Sequence, residues 1–243
     1  MTTAKVSSSG QLEWMKNKSD YPTRYNYPVA SFAGILVNQG GEVFSAESGA
    51  KRFDLTTGEW QSVASNSLLI DAATIVTYVR SESPFRPDFE FRPKLYGFDV
   101  ESGSMRWTAE PTLPPSYVLL SLSNAALSNN DEVIVIATAC TGGTASQCQW
   151  TDPSGWSFML HGFDIETGEE TSVCSLPILD TSGVDGRGLA GSVLSKGRLQ
   201  VDGIRASYVF DIPGFDAAKR GWIGASGNMG RSNAPAEAAE VSH

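Results

Sequence analysis

Few side chains in this 243-residue sequence have the type and spacing that chemistry requires. Nucleophilic hydrolysis needs a base beside a serine or cysteine, and the histidines are His161 and His243. His161 stands in Leu160-His161-Gly162-Phe163, where an earlier stretch reads Leu95-Tyr96-Gly97-Phe98. A position that accepts Tyr or His is an ordinary strand position, so no catalytic base is expected there. Cys140 and Cys148 flank the polar stretch Thr141–Gln147 and form a candidate disulfide across a short loop, given an oxidising compartment. Cys174 is left over and is expected as a buried thiol on a strand. No C-x-x-C pair occurs, so no metal site is expected. Asp88 and Glu90 read as solvated loop carboxylates. Asn129-Asn130-Asp131 and Asp185-Gly186-Arg187-Gly188 lack the spaced carboxylates of a calcium loop and read as turns. Gly224-Ala225-Ser226-Gly227-Asn228 precedes no helix and is not a phosphate cradle.

The remaining acidic residues with a pattern belong to a repeated phrase. Phe53-Asp54-Leu55 is followed by Gly58, Phe98-Asp99-Val100 by Gly103, Phe163-Asp164-Ile165 by Gly168, and Phe210-Asp211-Ile212 by Gly214. The period is roughly 45 residues, with one longer step between Phe98 and Phe163. Each copy reads as strand, turn, strand. The Asp carboxylate can accept hydrogen bonds from the amides ahead of it, and the Gly supplies a left-handed turn position. All eight turn residues, Asp54, Gly58, Asp99, Gly103, Asp164, Gly168, Asp211 and Gly214, are therefore expected to be structural. A partial copy, Gly10-Gln11-Leu12-Glu13-Trp14, opens the chain.

Two further strand candidates lie between successive phrases: Phe32–Asn38 and Glu42–Ser45, Leu68–Ala73 and Ile75–Arg80, Tyr117–Leu122 and Glu132–Ala139, Gly188–Leu194 and Arg198–Val201. Four short strands per unit is the count of a propeller blade, and no window carries three turns of helical periodicity. The fold class expected is all-β: a β-propeller of four-stranded antiparallel blades, about four to five of them. These would form either a small closed ring or part of a seven- or eight-bladed one. A partial unit is expected at 1–25, blades at 26–65, 66–112, 113–178 and 179–230, and a disordered tail at 231–243.

The stretch Leu95-Tyr96-Gly97-Phe98-Asp99-Val100-Glu101-Ser102-Gly103-Ser104-Met105-Arg106-Trp107 resembles the quinoprotein-like, PQQ-type β-propeller repeat. Leu160–Gly168 resembles it too, although no Trp follows Gly168, and Trp60 follows Gly58 too closely. Trp222–Asn233 is similar to a motif that flanks such propellers in exported bacterial proteins. The resemblance implies the fold. It leaves the activity open, since the family holds quinone-dependent dehydrogenases, outer-membrane assembly lipoproteins and surface proteins. The dehydrogenases bind pyrroloquinoline quinone and calcium, and many carry a disulfide between adjacent cysteines, which Cys140 and Cys148 are not. Neither PQQ nor calcium is expected here. The function expected is a non-catalytic scaffold. The alternatives are a subunit of a quinone-dependent oxidoreductase and a structural fragment of a larger surface protein.

A net charge of −9 argues against nucleic acid as a partner. No apolar run is long enough to span a membrane. The 24 glycines and 12 prolines suit a turn-rich all-β chain. The first residues carry no export signal, yet the chain opens inside a repeat unit; a periplasmic, cell-surface or extracellular setting is the expectation. Two excursions, Ser81–Pro93 and Thr141–Trp156, fall between a blade's second and third strands and are expected on one face. Phe85, Arg86, Phe89, Trp150 and Trp156 are the candidate side chains for a protein or glycan partner, because aromatics and Arg dominate interface energetics. Pairing into a homodimer, or association with further blades, would cover sheet edges.

Overall fold

The computed structural model describes residues 2–7, 9, 11–17, 28–32, 34–38, 41–55, 68–71, 73–79, 93–123, 125–141, 155–178, 181–184, 189, 192–203 and 205–219. They form five antiparallel sheets. The first is a hairpin of β1 (Thr2–Val6) and β2 (Leu12–Asn17). Blade I contains β3 (Pro28–Phe32), β4 (Ile35–Asn38), β5 (Glu42–Ser45) and β6 (Lys51–Asp54). Blade II contains β7 (Leu68–Ile70), β8 (Thr74–Val79), β9 (Lys94–Asp99) and β10 (Met105–Ala109). Blade III contains β11 (Tyr117–Leu122), β12 (Ala126–Leu127), β13 (Glu132–Thr141), β14 (Trp156–Asp164) and β15 (Glu170–Leu176), with β11 and β12 pairing with the same strand, β13. Blade IV contains β16 (Ser192–Ser195), β17 (Arg198–Asp202) and β18 (Ser207–Asp211). Within a blade the strands are lettered A to D in chain order, β11 and β12 together counting as A in blade III and β16 to β18 as A to C in blade IV. The fold is a β-propeller, and the blade count fits part of one.

The inner strands of blades II and III are apolar on both faces because each of these sheets packs between two others. In β13 the residues from Val133 to Cys140 are all buried. Val133, Val135 and Ala137 pack toward Leu95 and Trp107 of blade II, while Ile134, Ile136 and Cys140 pack toward Leu194 and Leu199 of blade IV. Alternation along one strand thus fills two seams.

Register repeats from blade to blade. The first residue of B faces the last of C: Ile35 opposite Ser45, Thr74 opposite Asp99, Glu132 opposite Asp164, Arg198 opposite Asp211. The residue just before B is left-handed in three blades: Gly34 (φ 74°), Asp131 (φ 59°) and Gly197 (φ 70°). Its carbonyl accepts the N–H of the residue just after C. The pairs are Ala46 to Gly34 at 2.8 Å, Val100 to Ala73 at 3.0 Å, Ile165 to Asp131 at 3.0 Å and Ile212 to Gly197 at 2.8 Å.

This register corrects the first copy of the phrase. Phe53-Asp54 lies at the end of strand D, and exposed Asp54 pairs with Lys51 at 2.8 Å. Gly58 lies outside the described residues. The equivalent of Phe98–Gly103 in blade I is Phe44–Gly49, with Ser45 in the place of Asp. The Ser45 hydroxyl accepts the N–H of Ser48 at 3.2 Å, as the Asp99 carboxylate accepts that of Ser102 at 2.8 Å. A search for Asp passes over a hydroxyl that makes the same bond.

An aromatic joins the first hairpin to blade I, blade I to blade II and blade II to blade III. The Trp107 indole N–H donates to the Ile165 carbonyl at 3.1 Å across the seam between blades II and III. Its ring lies against Gly168, where a Cβ would come within 2.6 Å of it. Trp14 of the first hairpin donates to the Ala46 carbonyl at 3.2 Å and lies against Gly49 of blade I; Phe53 lies against Gly103 of blade II. The device stops at blade III. Its D strand carries Ser172 at this position, and a Cβ at Gly214 would meet nothing within 4 Å. Blade IV is held instead by the apolar seam and by the chain after β18: the Asn129 N–H donates to the Asp216 carbonyl at 2.8 Å and the Ala218 N–H to the Leu127 carbonyl at 2.9 Å.

Gly168 and Gly214 both have positive φ, at 72° and 92°. Gly168→Ala is expected to cost about 2–4 kcal/mol, from left-handed strain plus the collision with Trp107. Gly214→Ala carries the backbone strain alone, about 1–2 kcal/mol. Urea unfolding of the two variants checks the order.

Candidate contact face

Antiparallel strands place the A–B and C–D turns at one end of the propeller and the B–C and D–A connections at the other. The first end is built of tight turns. Asp99 Oδ1 accepts the N–H groups of Glu101 and Ser102 at 3.1 and 2.8 Å and the Ser102 hydroxyl at 2.9 Å, while Arg106 reaches Oδ2 at 2.5 Å. Asp164 repeats this with Glu166, Thr167 and the Thr167 hydroxyl at 3.0, 2.8 and 2.9 Å. The Ser102 N–H, followed by its hydroxyl, holds the Asp99 pKa down to about 2. The Thr167 N–H lowers that of Asp164. Gly103 and Gly168 close these turns with φ of 70° and 72°.

Asp211 departs from the expected role. Its carboxylate meets Arg198 Nε at 3.1 Å in an exposed pair and caps no turn. The residue two places on is Pro213, which has no N–H to offer. Asp216 takes over, accepting the N–H groups of Lys196 and Ala217, each at 2.8 Å. These bonds hold its pKa low, the Lys196 N–H most strongly.

The opposite end carries the connections of unequal length. B and C are joined by 39–41 in blade I and 203–206 in blade IV, but by 80–93 in blade II and 142–155 in blade III. The two long connections belong to adjacent blades. In blade III the B–C ladder runs from Glu132–Asp164 out to Cys140–Trp156, whereas in blade II it runs from Thr74–Asp99 to Val79–Lys94. Phe85, Arg86 and Phe89 belong to the first connection, Cys148 and Trp150 to the second; all five lie outside the described residues. Residues 231–243 do as well.

Trp156 requires correction as a loop residue. It opens β14 and is 7% exposed, within the core shared with blade IV. The alternation Trp156, Phe158, Leu160 was the available signal, and the neighbouring Pro and Gly obscured it. Cys140 is buried at the end of β13. Cys174 is an exposed free thiol, not a buried one, because it lies on the outermost strand of its blade. His161 occupies the strand position of Tyr96, fully buried, with Nδ1 2.6 Å from Glu170 Oε1. Sequence reasoning found the position but not the partner, because a bulge between Gly162 and Phe163 shifts β15 to bring Glu170 opposite Phe163.

No protein-family model matches the chain, and no curated protein matches it by sequence. Its likeness is to solved propellers. The Dos1 propeller superposes with a TM-score of 0.52 at 10% identity, over 89% of this chain and 51% of that one. BamB from Moraxella catarrhalis gives 0.49 at 13% identity, over 87% and 56%. A europium-containing methanol dehydrogenase gives 0.41 at 14%, over 82% and 44%. The chain thus spans about half the length of these structures. At such identities the likeness concerns the fold alone, which is the β-propeller.

Because the folded pKa of Asp99 is below its unfolded value near 3.8, its stabilising effect is present above that value and is lost as pH falls toward 2. Carboxyl-detected NMR titration should place Asp99 near 2. Asp99→Ser should retain more stability than Asp99→Ala, since Ser45 already performs this turn in blade I.

Proposed function

We propose that the protein is a non-catalytic, PQQ-type propeller scaffold that binds a protein or glycan partner through the end bearing connections 80–93 and 142–155. The observation that carries this reading is the asymmetry between the two ends. One end consists of turns whose polar groups bond among themselves. The other bears two long connections on neighbouring blades, and their sequences supply Phe85, Arg86, Phe89 and Trp150. Large aromatic and guanidinium side chains gathered at one end suit a hot spot.

A quinone cofactor does not suit the repeated acidic residues. The Asp99 and Asp164 carboxylates serve their own turns, and Asp211 pairs with Arg198. The scaffold therefore works without PQQ or calcium on this reading. We place it outside the cytoplasm, in the periplasm or at the cell surface, with Cys140 and Cys148 joined so that the disulfide fastens the blade III connection. Further blades, from a second copy or another chain, would complete the ring. The net charge of −9 favours a partner other than nucleic acid.

Glycan arrays and cross-linking to surface proteins should identify a partner whose affinity drops at least about tenfold in a Phe85→Ala, Phe89→Ala, Trp150→Ala variant. A Glu47→Gln, Glu101→Gln, Glu166→Gln variant, altered at the opposite end, should bind normally. Undiminished binding by the aromatic variant removes the reading. Alkylation of the unreduced, denatured protein should label Cys174 alone; labelling of all three cysteines removes the disulfide.

A further inference from the structure

His161 is the buried titratable group that no turn or contact face uses. Its ring is stacked with Phe163, centroids 6.2 Å apart, and is flanked in register by Val135 and Val173. On this side of β14 the sheet packs against blade II through Leu95 and Trp107. Nδ1 lies 2.6 Å from Glu170 Oε1, and the same oxygen accepts the Thr112 N–H at 3.2 Å. Thr112 follows β10, so a single carboxylate oxygen links the imidazole of blade III to the backbone of blade II. Among the described residues the ring's other nitrogen, Nε2, is buried without a hydrogen-bond partner.

Burial, against the pull of one carboxylate, keeps the ring neutral. Glu170 is the charged group in contact with it among the described residues. The other charged groups on the flanking elements are engaged elsewhere: Lys94 of β9 with Glu110, Arg106 of β10 with Asp99, Glu132 of β13 with Thr171, and Asp164 of β14 with its turn. Burial works against ionisation of Glu170, but the bonds from Thr112 and His161 prevail and hold its pKa below the ordinary value. An ionised Glu170 only accepts, so Nδ1 must carry the donated proton and the neutral ring leaves Nε2 bare. A second proton has to go onto Nε2, where it has no acceptor. A buried donor without an acceptor is costly, and a buried cation more so.

We propose that the seam between blades II and III is an acid-operated joint: it is closed while His161 is neutral and loosened when a proton is placed on Nε2. Burial pushes the His161 pKa down, more than Glu170 raises it. The sign follows from linkage. The open seam binds a proton at about the ordinary histidine value of 6.5, and the closed seam only at lower pH. Closure is therefore fully favoured above 6.5 and lost progressively as pH falls toward the lower, closed-state value.

Trp107 supplies a local gauge, because its indole N–H is buried against Ile165 in this same seam. Hydrogen exchange of that N–H, corrected for intrinsic exchange chemistry, should show an opening constant that rises by up to about tenfold per pH unit from pH 6.5 to 5.5. In His161→Tyr, which installs the residue found at this position in blade II, the opening constant should stay level. His161→Gln serves the same purpose if the tyrosine variant does not fold. Equal slopes in wild type and variant, or a level wild-type profile, overturn the proposal. Ring ¹⁵N spectra of the wild-type protein give a test without substitution. An Nδ1-protonated neutral His161 ring that titrates below the ordinary 6.5 is expected, and one that titrates at or above 6.5 overturns the joint.

Discussion

The contact of a D-strand aromatic with the turn glycine of the following blade is the constraint on which the rest of the structure depends. Trp107 requires a glycine beneath it twice, at Gly97 in its own blade and at Gly168 in the next. It also requires the Ile165 carbonyl to face the seam. That carbonyl is placed by the turn that Asp164 organises, and the turn is placed by the bond from Ile165 to Asp131. Backbone handedness before strand B, turn chemistry after strand C and the ring on strand D therefore form one chain of dependence. It passes through Trp14, Phe53 and Trp107, from the first hairpin to blade III. Burial supplies most of the stabilisation, but burial has no direction. The indole N–H of Trp14 and of Trp107 adds a directional bond across its seam.

How much of this could be read from the sequence depended on which atoms made the bonds. Blades II and III were legible because Asp99 and Asp164 use the side chain that the turn prefers, followed by Ser or Thr and Gly. The phrase in blade I was misplaced because Ser45 makes the same bond with a hydroxyl, while an unrelated Phe53-Asp54 pair offered a better match in letters. Asp211 was over-read, since the identity of the acid says nothing about the donor, and Pro213 removes the donor. The absence of Trp after Gly168 was visible from the start. Its meaning, a seam between blades III and IV without an aromatic lock, required the register.

The candidate face was legible as topology but not as surface. The two long excursions were placed between second and third strands from repeat spacing alone, and that is where β8 to β9 and β13 to β14 leave them. The outer limit of the second was misjudged. Residues 156–160 have one face toward blade IV, a neighbour that no local window contains. The same limitation hid Glu170 from His161: they are nine residues apart in sequence, and a ladder irregularity decides their meeting.

The left-handed residue before strand B has a consequence for how such a chain tolerates drift. Gly34, Asp131 and Gly197 occupy a backbone region closed to β-branched side chains and open chiefly to Gly, Asn and Asp. At these places the allowed alphabet shrinks to a few letters, whatever apolar residues the neighbouring strands carry. In blade II Ala73 holds the place without a left-handed φ, and its carbonyl still accepts the Val100 N–H at 3.0 Å. At Gly34, Asp131 and Gly197 it is the backbone, not a buried side chain, that decides which residues are tolerated.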